Sequence, residues 1–508
     1  MSDTAKVQAK GWVIYPIGSR PKMGLAILLG IQQYLTMFGA TVLIPYIIGG
    51  AMKLPSEELA LLISTIFFAS GLCTLIQQSP LGNRLPIVQG GTFSFLGPMF
   101  AIVGMVGAQN LGWQVSIQQV AAAVMFASVF EIILGYTGLM GYIKRAISPI
   151  AIGPTIAMIG LALYGIGAPW MAGNWAVSLI TLGALILYSQ VFARKARVFL
   201  LFPVLLAILT GWLSAIIGTY AGWIPEGNLA NVTGKFGLIK AAPWFTIRPV
   251  IPFKWGLPSL NSITLAGSIG MIAGYIASMI ESIGDYYSCA RISEGPVPTE
   301  KMISRGLGAE GLGCLIAGIL QTCNGTTSYS ENIGAIGLTR VASRRVIRAG
   351  AVVMLVLPLF GKFGATLASM PQPVVGAMYV GLFGLIAAVG LSNLQFTNMN
   401  NARNLFIVGI SFFAGLSFPA HFGAAPINWA AAGPVTEVLG NIVQTILTTG
   451  MAVTGILAIF LDNILPGATR EERGLTVWES EATDEAWAKA EAEWKKMAVG
   501  EERKIIIE

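Results

Sequence analysis

Charged side chains are scarce in this sequence. Asp, Glu, Lys and Arg make up 11% of its 508 residues, whereas ordinary soluble domains carry about 25%. Hydrophobic residues make up 55% of the chain. So few charges could not cover the surface of a soluble protein of this length, and the composition is equally unlike disordered or fibrous chains. The sequence therefore predicts a polytopic membrane protein with most of its mass in lipid.

Histidine and cysteine are also rare. The one histidine, His421, and the four cysteines without paired spacing exclude a His-rich metal site and a Ser-His-Asp centre elsewhere in the chain. We therefore expect neither an enzyme nor a bound cofactor, and we place His421 in a loop near the extracellular end of a span. The cysteines are expected to be small buried hydrophobic residues: Cys73, Cys289, Cys314 and Cys323.

Fourteen apolar segments approach the length of about 20 residues that a spanning helix needs. The third and the tenth contain few helix-forming residues, because they include Gln89–Pro98 and Asn324–Gly334. The predicted spans lie near 24–50, 59–79, 86–106, 117–141, 147–166, 174–192, 198–220, 263–290, 302–320, 327–340, 346–366, 372–391, 404–419 and 434–461.

Basic residues indicate the orientation. If the N-terminus lies in the cytoplasm, fourteen spans place the basic loops in the cytoplasm too, as the positive-inside rule requires. An even number of spans then puts both termini in the cytoplasm of a plasma-membrane protein. Since the basic residues lie in loops, no nucleic-acid partner is expected. The inside loops contain Arg84, Lys144, Arg145, Arg194, Lys195, Arg197, Arg291, Lys301, Arg305, Arg340, Arg344, Arg345, Arg348 and Arg403.

The two broken spans occupy the same place in each set of seven. Because seven is odd, the second set crosses the membrane in the opposite direction to the first. This arrangement is typical of an inverted repeat, in which broken segments point to a binding site near the membrane midplane. The alternative is a pair of unrelated glycine-rich turns.

Acidic residues inside apolar spans are costly and usually functional or paired. Glu281 and Asp285 are four residues apart and share one helical face, which suits cation-coupled transport. Glu331, in the broken tenth span, could accept N–H donors from a planar ring. The alternatives are a satisfied structural pair for the first two and a helix cap for Glu331.

Other acids and the C-terminal tail have weaker functional claims. A surface helix is predicted near 479–498, where Trp487 and Trp494 share a face; we interpret it as solvated or lying on the membrane surface. Four acids near span ends or beside small residues are interpreted as structural pairs or interface residues, with a gating role as the less favoured alternative: Glu131, Glu310, Glu437 and Asp462.

The segment Glu331–Arg340 resembles the signature of the nucleobase–ascorbate transporter family. That signature has Gln, Glu or Pro first, then Asn, with Gly fourth, Thr ninth and Arg, Lys or Gly tenth. Further segments resemble the family in the same order along the chain, so that the resemblance covers nearly the whole sequence: Gln32–Pro45, Gln89–Phe95, Glu281–Asp285, Leu461–Gly467 and Glu471–Leu475.

The resemblance implies an all-α fold of fourteen spans in two inverted sevens, with short antiparallel strands in spans three and ten. It further implies an elevator mechanism, in which a core domain moves against a gate domain that also forms a homodimer. The implied divisions are a cytoplasmic N-terminus at 1–22, core segments at 23–145 and 263–367, gate segments at 146–220 and 368–466, an extracellular loop at 221–262 and a cytoplasmic tail at 467–508.

The family's site residues carry over to this chain position by position. Glu281 and Asp285 are implied to couple the cation, with Na⁺ near Asp285 as the one metal considered. Phe93 would offer a flat face on which a planar base can stack. Substrate contacts fall on Ala40, Phe93, Ser94, Glu281, Ser330 and Glu331, and supporting residues of the signature are Gln33, Asn332, Thr339 and Arg340.

The substrate and the coupling ion stay open at this stage. Glu331 is similar to uracil and broad purine carriers, and proline at this position goes with ascorbate transport. Segment 278–320 nevertheless looks close to the sodium-coupled animal branch, which includes ascorbate carriers. Gln33 stands where many members have histidine, which leaves Na⁺ and H⁺ both open. We expect nucleobase symport of uracil or a purine such as xanthine, with ascorbate–sodium symport as the alternative and anion exchange as a distant one.

Overall fold

Helices form most of the protein. The structure, a computed structural model, describes residues 13–139, 148–162, 164–196, 198–199, 202–259, 261–425, 434–475 and 483–495. In chain order its elements are α1 (Met23–Ala51), α2 (Ser56–Gln77), β1 (Gln89–Gly90), α3 (Leu96–Ala108), α4 (Trp113–Thr137), α5 (Pro149–Leu161), α6 (Tyr164–Met171), α7 (Trp175–Ile186), α8 (Pro203–Tyr220), α9 (Lys235–Ala241), α10 (Ser262–Ile292), α11 (Glu300–Ile319), β2 (Thr327–Ser328), α12 (Ser330–Thr339), α13 (Arg344–Val356), α14 (Gly361–Ala368), α15 (Gln372–Ser392), α16 (Ala402–Ala424), α17 (Pro434–Thr448), α18 (Gly450–Ile464) and α19 (Asp484–Lys495).

The lengths and compositions of these helices confirm a polytopic membrane fold. Among the described residues, nine helices are long and apolar enough to cross a membrane, or up to twelve if each of three bent pairs is one span. The pairs bend by 44° within α1, by 84° before Gly361 and by 95° before Gly450. The two broken segments fall outside this number, and the count of fourteen spans stays a prediction. The loop residues Lys144, Arg145 and Arg197 lie outside the described residues.

The two broken spans meet through a short pair of strands. β1 and β2 are antiparallel, with Gln89 opposite Ser328 and Gly90 opposite Thr327. The predicted strands in spans three and ten are therefore present. Glycine at position 90 is needed for this pairing, because a Cβ atom there would lie 1.9 Å from a ring carbon of Tyr329.

Two asparagine side chains extend the ladder beyond the strands. The Asn324 amide receives a hydrogen bond from the Thr92 N–H (2.7 Å) and donates one to the Thr92 carbonyl (3.0 Å). At the other end, the Val88 N–H donates to Oδ1 of Asn332 at 2.9 Å. A glycine-rich segment has a low propensity to form a helix. Its backbone N–H and C=O groups nevertheless need hydrogen-bond partners inside a membrane. The strands and the two amides supply those partners.

Helices α4 and α11 pack backbone against backbone. A Cβ atom on Gly135 would lie 2.2 Å from the nitrogen of Gly308, and one on Gly311 would lie 2.7 Å from the nitrogen of Ile132. Small residues permit such close approach between helices in lipid. This contact fixes α11 behind the strand pair.

The C-terminal helix α19 is packed on the protein, which corrects our interpretation of a solvated or membrane-surface helix. Trp487 and Trp494 do share a face, but both are buried, and their rings meet edge to face with centroids 5.9 Å apart. Nε1 of Trp487 donates to the carbonyl of Val297 at 2.9 Å, and both rings pack with Val13 and Ile17. Residues 479–482 and 496–498 of the predicted helix lie outside the described part of the chain.

An ion pair anchors the same helix. The Glu491 carboxylate lies 3.1 Å from the guanidinium of Arg344 and 3.7 Å from that of Arg84. The helix therefore joins the N-terminal segment and the chain that enters α13. Sequence alone predicted its shared tryptophan face and missed the surface that covers it.

His421 lies in a helix, so its assignment to a loop was wrong. It occupies the last turn of α16, which continues past Pro419 to Ala424. Our predicted span ended at residue 419, whereas the helix continues to Ala424. In membrane helices proline is tolerated more often, since neighbouring groups satisfy the freed backbone carbonyl.

We predict that Trp494→Ala will release α19 from the protein. Loss of a buried indole removes roughly 3–5 kcal/mol of packing energy, which exceeds what the remaining contacts of one short helix can offset. Limited proteolysis with mass spectrometry should show cleavage at the C-terminal end several-fold faster than in the wild type. Trp223→Ala, at a side chain that is 78% exposed, serves as the matched control. Equal cleavage rates in both variants would contradict the packing described above.

Candidate functional site

The candidate site lies where the strands pass into short helices. β1 leads through a turn at Phe93–Phe95 into α3, and β2 leads directly into α12. Because the strands are antiparallel, the two helices leave them in opposite directions. Broken membrane helices present their N-terminal N–H groups and positive dipole ends in this way, and binding sites commonly form there.

The start of α12 meets the acidic face of α10. The hydroxyl of Ser330 donates to Oδ1 of Asp285 at 2.7 Å. Asp285 is buried, and its Oδ2 has no hydrogen-bond partner among the described residues. Sequence analysis expected both residues at the site, and the structure brings them into contact.

Two further carboxylates lie close to this contact. Glu281, one turn before Asp285, and Glu331, next to Ser330, are both half-buried and interact electrostatically with each other and with Asp285. No described residue donates a hydrogen bond to the Glu281 side chain. Glu331 lies in the first turn of α12, whose N-cap is Tyr329, and its carboxylate interacts with its own backbone N–H, so a capping role is compatible with a role in the site.

The predicted aromatic residue faces another helix. The half-buried Phe93 ring meets the Phe383 ring of α15 edge to face, with centroids 4.9 Å apart. Phe383 in turn stacks on Tyr379 at 4.1 Å. The site therefore has an aromatic wall on the side of α15, to which sequence reasoning assigned no substrate contact.

Ser94 and Ala40 are both buried. The Ser94 N–H is already used, because it donates to the hydroxyl of Thr92 at 3.1 Å. The Ser94 hydroxyl, by contrast, has no partner among the described residues. Ala40, on α1, is 3% exposed and contributes a small apolar surface.

The signature residues Gln33 and Asn332 bind each other. Nδ2 of Asn332 donates to Oε1 of Gln33 at 2.8 Å, which joins α12 to α1. Gln33 thus accepts a hydrogen bond at the position where related sequences carry histidine. The role of these two residues as supports stays a prediction.

Thr339 and Arg340 lie at the far end of α12 from the acidic cluster. The Thr339 hydroxyl donates to the carbonyl of Ala335 at 2.8 Å. Arg340 ends the helix with φ of +60°, and its carbonyl accepts N–H bonds from Ile14 and Tyr15. Neither residue is brought to the carboxylates.

Glu310 is the residue whose position sequence reasoning missed. Its Oε1 accepts hydrogen bonds from the hydroxyls of Ser328 (2.5 Å) and Ser282 (2.8 Å), and from the Gln89 amide at 3.3 Å. It therefore binds both strands and α10 directly behind the carboxylate cluster. The signal available was an acid in a glycine-rich apolar span, but its partners are distant in sequence.

The remaining acids of the weaker group differ from one another. Asp462 forms ion pairs with Arg403 at 3.0 Å and Arg473 at 2.9 Å. Glu131 is fully buried on α4. The side chain of Glu437 lies outside the described residues.

The arrangement suits reversible binding of a polar ligand and a cation. Among the described residues, the Oδ2 atom of Asp285 and the hydroxyl of Ser94 have no hydrogen-bond partner. Within the described ranges, no group of three or more His, Cys, Asp and Glu residues could hold a metal ion. A cation that uses Asp285 would therefore take its further ligands from other oxygen atoms, such as main-chain carbonyls, hydroxyls or water.

Comparisons with known proteins agree with a transporter. A model of a permease family, Xan_ur_permease, matches residues 24–424. Solute carrier family 23 member 2 from Rattus norvegicus is 40% identical over 509 residues, which cover 92% of this chain and 76% of the relative. Nucleobase-ascorbate transporter 1 from Arabidopsis thaliana is 34% identical, with 91% of each chain covered.

Solved structures share the fold at low identity. The transmembrane domain of the cyanobacterial bicarbonate transporter BicA superposes with a TM-score of 0.52 and 13% identity, covering 83% of this chain and 97% of that one. The murine Solute Carrier 26 family member A9 anion transporter gives a TM-score of 0.50 at 13% identity, covering 82% of this chain and 68% of that one. The fold, together with the matched permease family and the curated relatives, defines a multi-pass membrane transporter and not an enzyme. The chain belongs to the nucleobase–ascorbate transporter family.

We predict that Gly90→Ala will disrupt the strand pair. The added methyl group collides with the Tyr329 ring, and overpacking of this kind costs about 1–3 kcal/mol or more. Substrate uptake should be lost and the melting temperature lowered. Gly104→Ala, on α3 with open space around its Cβ position, is the matched control and should behave as the wild type does. Normal uptake by Gly90→Ala would contradict a site built on these strands.

Proposed function

We propose that this protein is a cation-coupled symporter of a nucleobase, either uracil or a purine such as xanthine. The observation that carries the proposal is the meeting of three carboxylates with the start of α12: Glu281, Asp285 and Glu331. Phe93 lies at the start of the other short helix. Hydrogen-bond acceptors beside an aromatic ring match a planar heterocycle that carries N–H donors.

The chemistry of a base suits each group. Ionised carboxylates only accept hydrogen bonds, so Glu331 and Glu281 would receive the ring N–H groups of the base. The Ser94 hydroxyl and free backbone N–H groups at the helix starts would donate to its carbonyl oxygens. The Phe93 ring would stack on the face of the base, or would contact the edge of the base once the contact between Phe93 and Phe383 has opened.

A coupling cation would bind at Asp285. Two or three carboxylates in a medium of low dielectric repel one another, and a cation relieves this repulsion. Sodium takes oxygen ligands, as hard cations do, and Oδ2 of Asp285 is free to provide one. A proton on Asp285 or Glu281 would have the same electrostatic effect. Either ion would favour base binding by holding the carboxylates in place, which is the reciprocal coupling that symport needs.

Transport would proceed by an elevator motion. The core segments 23–145 and 263–367 would carry the strands and the carboxylates past gate segments 146–220 and 368–466. The Phe93–Phe383 contact joins these two sets and would break during the motion. We place the protein in the plasma membrane as a homodimer formed by the gate segments, with loop 221–262 outside and both termini in the cytoplasm.

Ascorbate is the second candidate substrate. The name of the plant relative, nucleobase-ascorbate transporter, favours testing it. Ascorbate is an anion at neutral pH, and three carboxylates would repel it unless cations neutralised them. The same argument disfavours anion exchange, although the bicarbonate and anion transporters share the fold. A neutral base therefore fits this cluster better.

Uptake in proteoliposomes tests the proposal. We expect labelled uracil or xanthine to accumulate when a sodium gradient or a pH gradient is imposed alone. The effective gradient identifies the coupling ion. Accumulation of ascorbate without uptake of either base would contradict the nucleobase assignment, and exchange independent of both gradients would contradict cation coupling.

We predict that Glu331→Gln will abolish uptake or change the order of preferred bases. The amide keeps the size of the side chain but replaces an acceptor with a donor, and hydrogen bonds to charged groups are worth about 1.5–3 kcal/mol. Base affinity should therefore fall about 10- to 100-fold. Glu57→Gln, at an exposed acid of α2, is the control for the loss of one charge. Wild-type uptake and selectivity in Glu331→Gln would sink the assignment.

A further inference from the structure

A second pair of acids lies behind the strands, and one of its members, Glu310, also interacts electrostatically with Glu281 and Asp285 of the proposed substrate site. Glu131 on α4 is 0% exposed and Glu310 on α11 is 1% exposed. Neither oxygen of the Glu131 carboxyl group has a hydrogen-bond partner in the described part of the chain, and neither does Oε2 of Glu310. The two groups are close enough to interact electrostatically.

The packing of α4 against α11 holds the two acids together. Gly311, which follows Glu310, approaches the backbone of α4 so closely that a Cβ atom on it would lie 3.2 Å from the carbonyl carbon of Glu131. With the helices in backbone contact, neither carboxyl group can move far from the other. The pair is therefore a fixed feature of this helix crossing.

The neighbours of Glu131 do not neutralise it. The titratable groups that face it are Glu310 and Cys314 on α11, with Tyr275 and Tyr286 on α10. The packed helix α3 has no titratable residue. No described Lys or Arg forms an ion pair with either acid.

Two of the possible donors among these neighbours, Tyr275 and Cys314, donate elsewhere, and the third, Tyr286, interacts with Glu310. The Tyr275 hydroxyl donates to the carbonyl of Val124 at 2.8 Å. The Cys314 thiol donates to the carbonyl of Thr326 at 3.4 Å. Burying an ionised carboxylate that has neither a hydrogen-bond donor nor a positive charge beside it costs much free energy. Burying two such carboxylates side by side costs more, because they also repel each other.

We propose that Glu131 and Glu310 form a buried proton-binding site in which one proton is held between the two carboxyl groups. The proton is bound to one oxygen of Glu131 and donates a hydrogen bond to Oε2 of Glu310, which leaves the pair with a single negative charge. That charge stays on the side of Glu310, where two serine hydroxyls and the Gln89 amide donate to Oε1. Release of the proton to water leaves two carboxylates.

Proton occupancy of this pair controls the substrate site, a link that rests on the function proposed above. Glu310 holds β2 through Ser328, which lies two residues before Ser330 at the start of α12. When both acids are ionised, their repulsion pushes Glu310 away from Ser328 and Ser282 and loosens β2. Substrate binding is therefore tightest at low pH, where the pair keeps its proton, and weakens as pH rises through its ionisation.

Equilibrium binding of labelled uracil and xanthine across a pH series tests this inference. In the wild type, affinity should fall by at most about tenfold per pH unit once the pair ionises, because one proton is linked to binding. In Glu131→Gln this fall should become shallower, because Glu310 then has no charged neighbour on α4, while Glu281 and Asp285 on α10, which also interact with Glu310, still ionise. The exposed acid variant Glu57→Gln should keep the wild-type profile.

An identical pH profile in Glu131→Gln and the wild type would overturn the proton site and leave the proposed function intact. No binding of either base by the wild type at any pH would instead contradict the proposed function.

Infrared difference spectroscopy tests the proton directly and needs no substrate. The wild type should show the carbonyl stretch of a protonated carboxylic acid at neutral pH, and Glu131→Gln should lose the part of that band that comes from the Glu131–Glu310 pair. If Glu131→Gln does not fold, Glu131→Asp should shift the band, and a wild type without any such band would overturn the proposal. Loss of the band on addition of sodium chloride at constant pH would assign the site to sodium and also overturn it.

Discussion

The need to satisfy backbone polar groups inside a membrane governs the geometry of this protein. Two glycine-rich segments leave the helical conformation and pair with each other over two residues on each side. The side-chain amides of Asn324 and Asn332 form hydrogen bonds with the backbone groups next to the strands that the strand pairing does not satisfy. The bilayer contains no water that could form hydrogen bonds with unpaired backbone groups. A shift in the register of this small ladder would therefore cost several kcal/mol for each backbone group left unpaired. Every group of the candidate site is positioned relative to it.

Helix α10 contacts both β2 and the start of α12. Asp285 accepts a hydrogen bond from Ser330. Ser282 bonds to β2, which Glu310 also holds through Ser328. Residues 281 and 285 lie one turn apart on α10, which contacts β2. A movement of β2 would therefore also shift the acids that face the proposed base. Substrate, coupling cation and buried proton would thus act on one small structural unit.

Much of this could be predicted from local sequence. Low charge, long apolar runs and glycine-rich interruptions are properties of neighbouring residues, so the membrane fold and the broken spans followed from them. The acids of α10 and Glu331 stood out because charge inside an apolar run is costly. The partners of Glu310 could not be predicted, since they lie on strands and a helix far apart in sequence.

The same limit explains the errors at the C-terminal helix and at His421. Tertiary contacts decided the first, and the tolerance of Pro419 within a membrane helix decided the second.

A base-binding site between Phe93 and Glu331 is tested most directly by an experimental structure determined with saturating uracil or xanthine. We predict planar density against the Phe93 ring, with ring nitrogens within hydrogen-bond distance of the Glu331 carboxylate. A base bound away from the strand pair, or a site that stays empty with both bases but is filled by ascorbate, would contradict it.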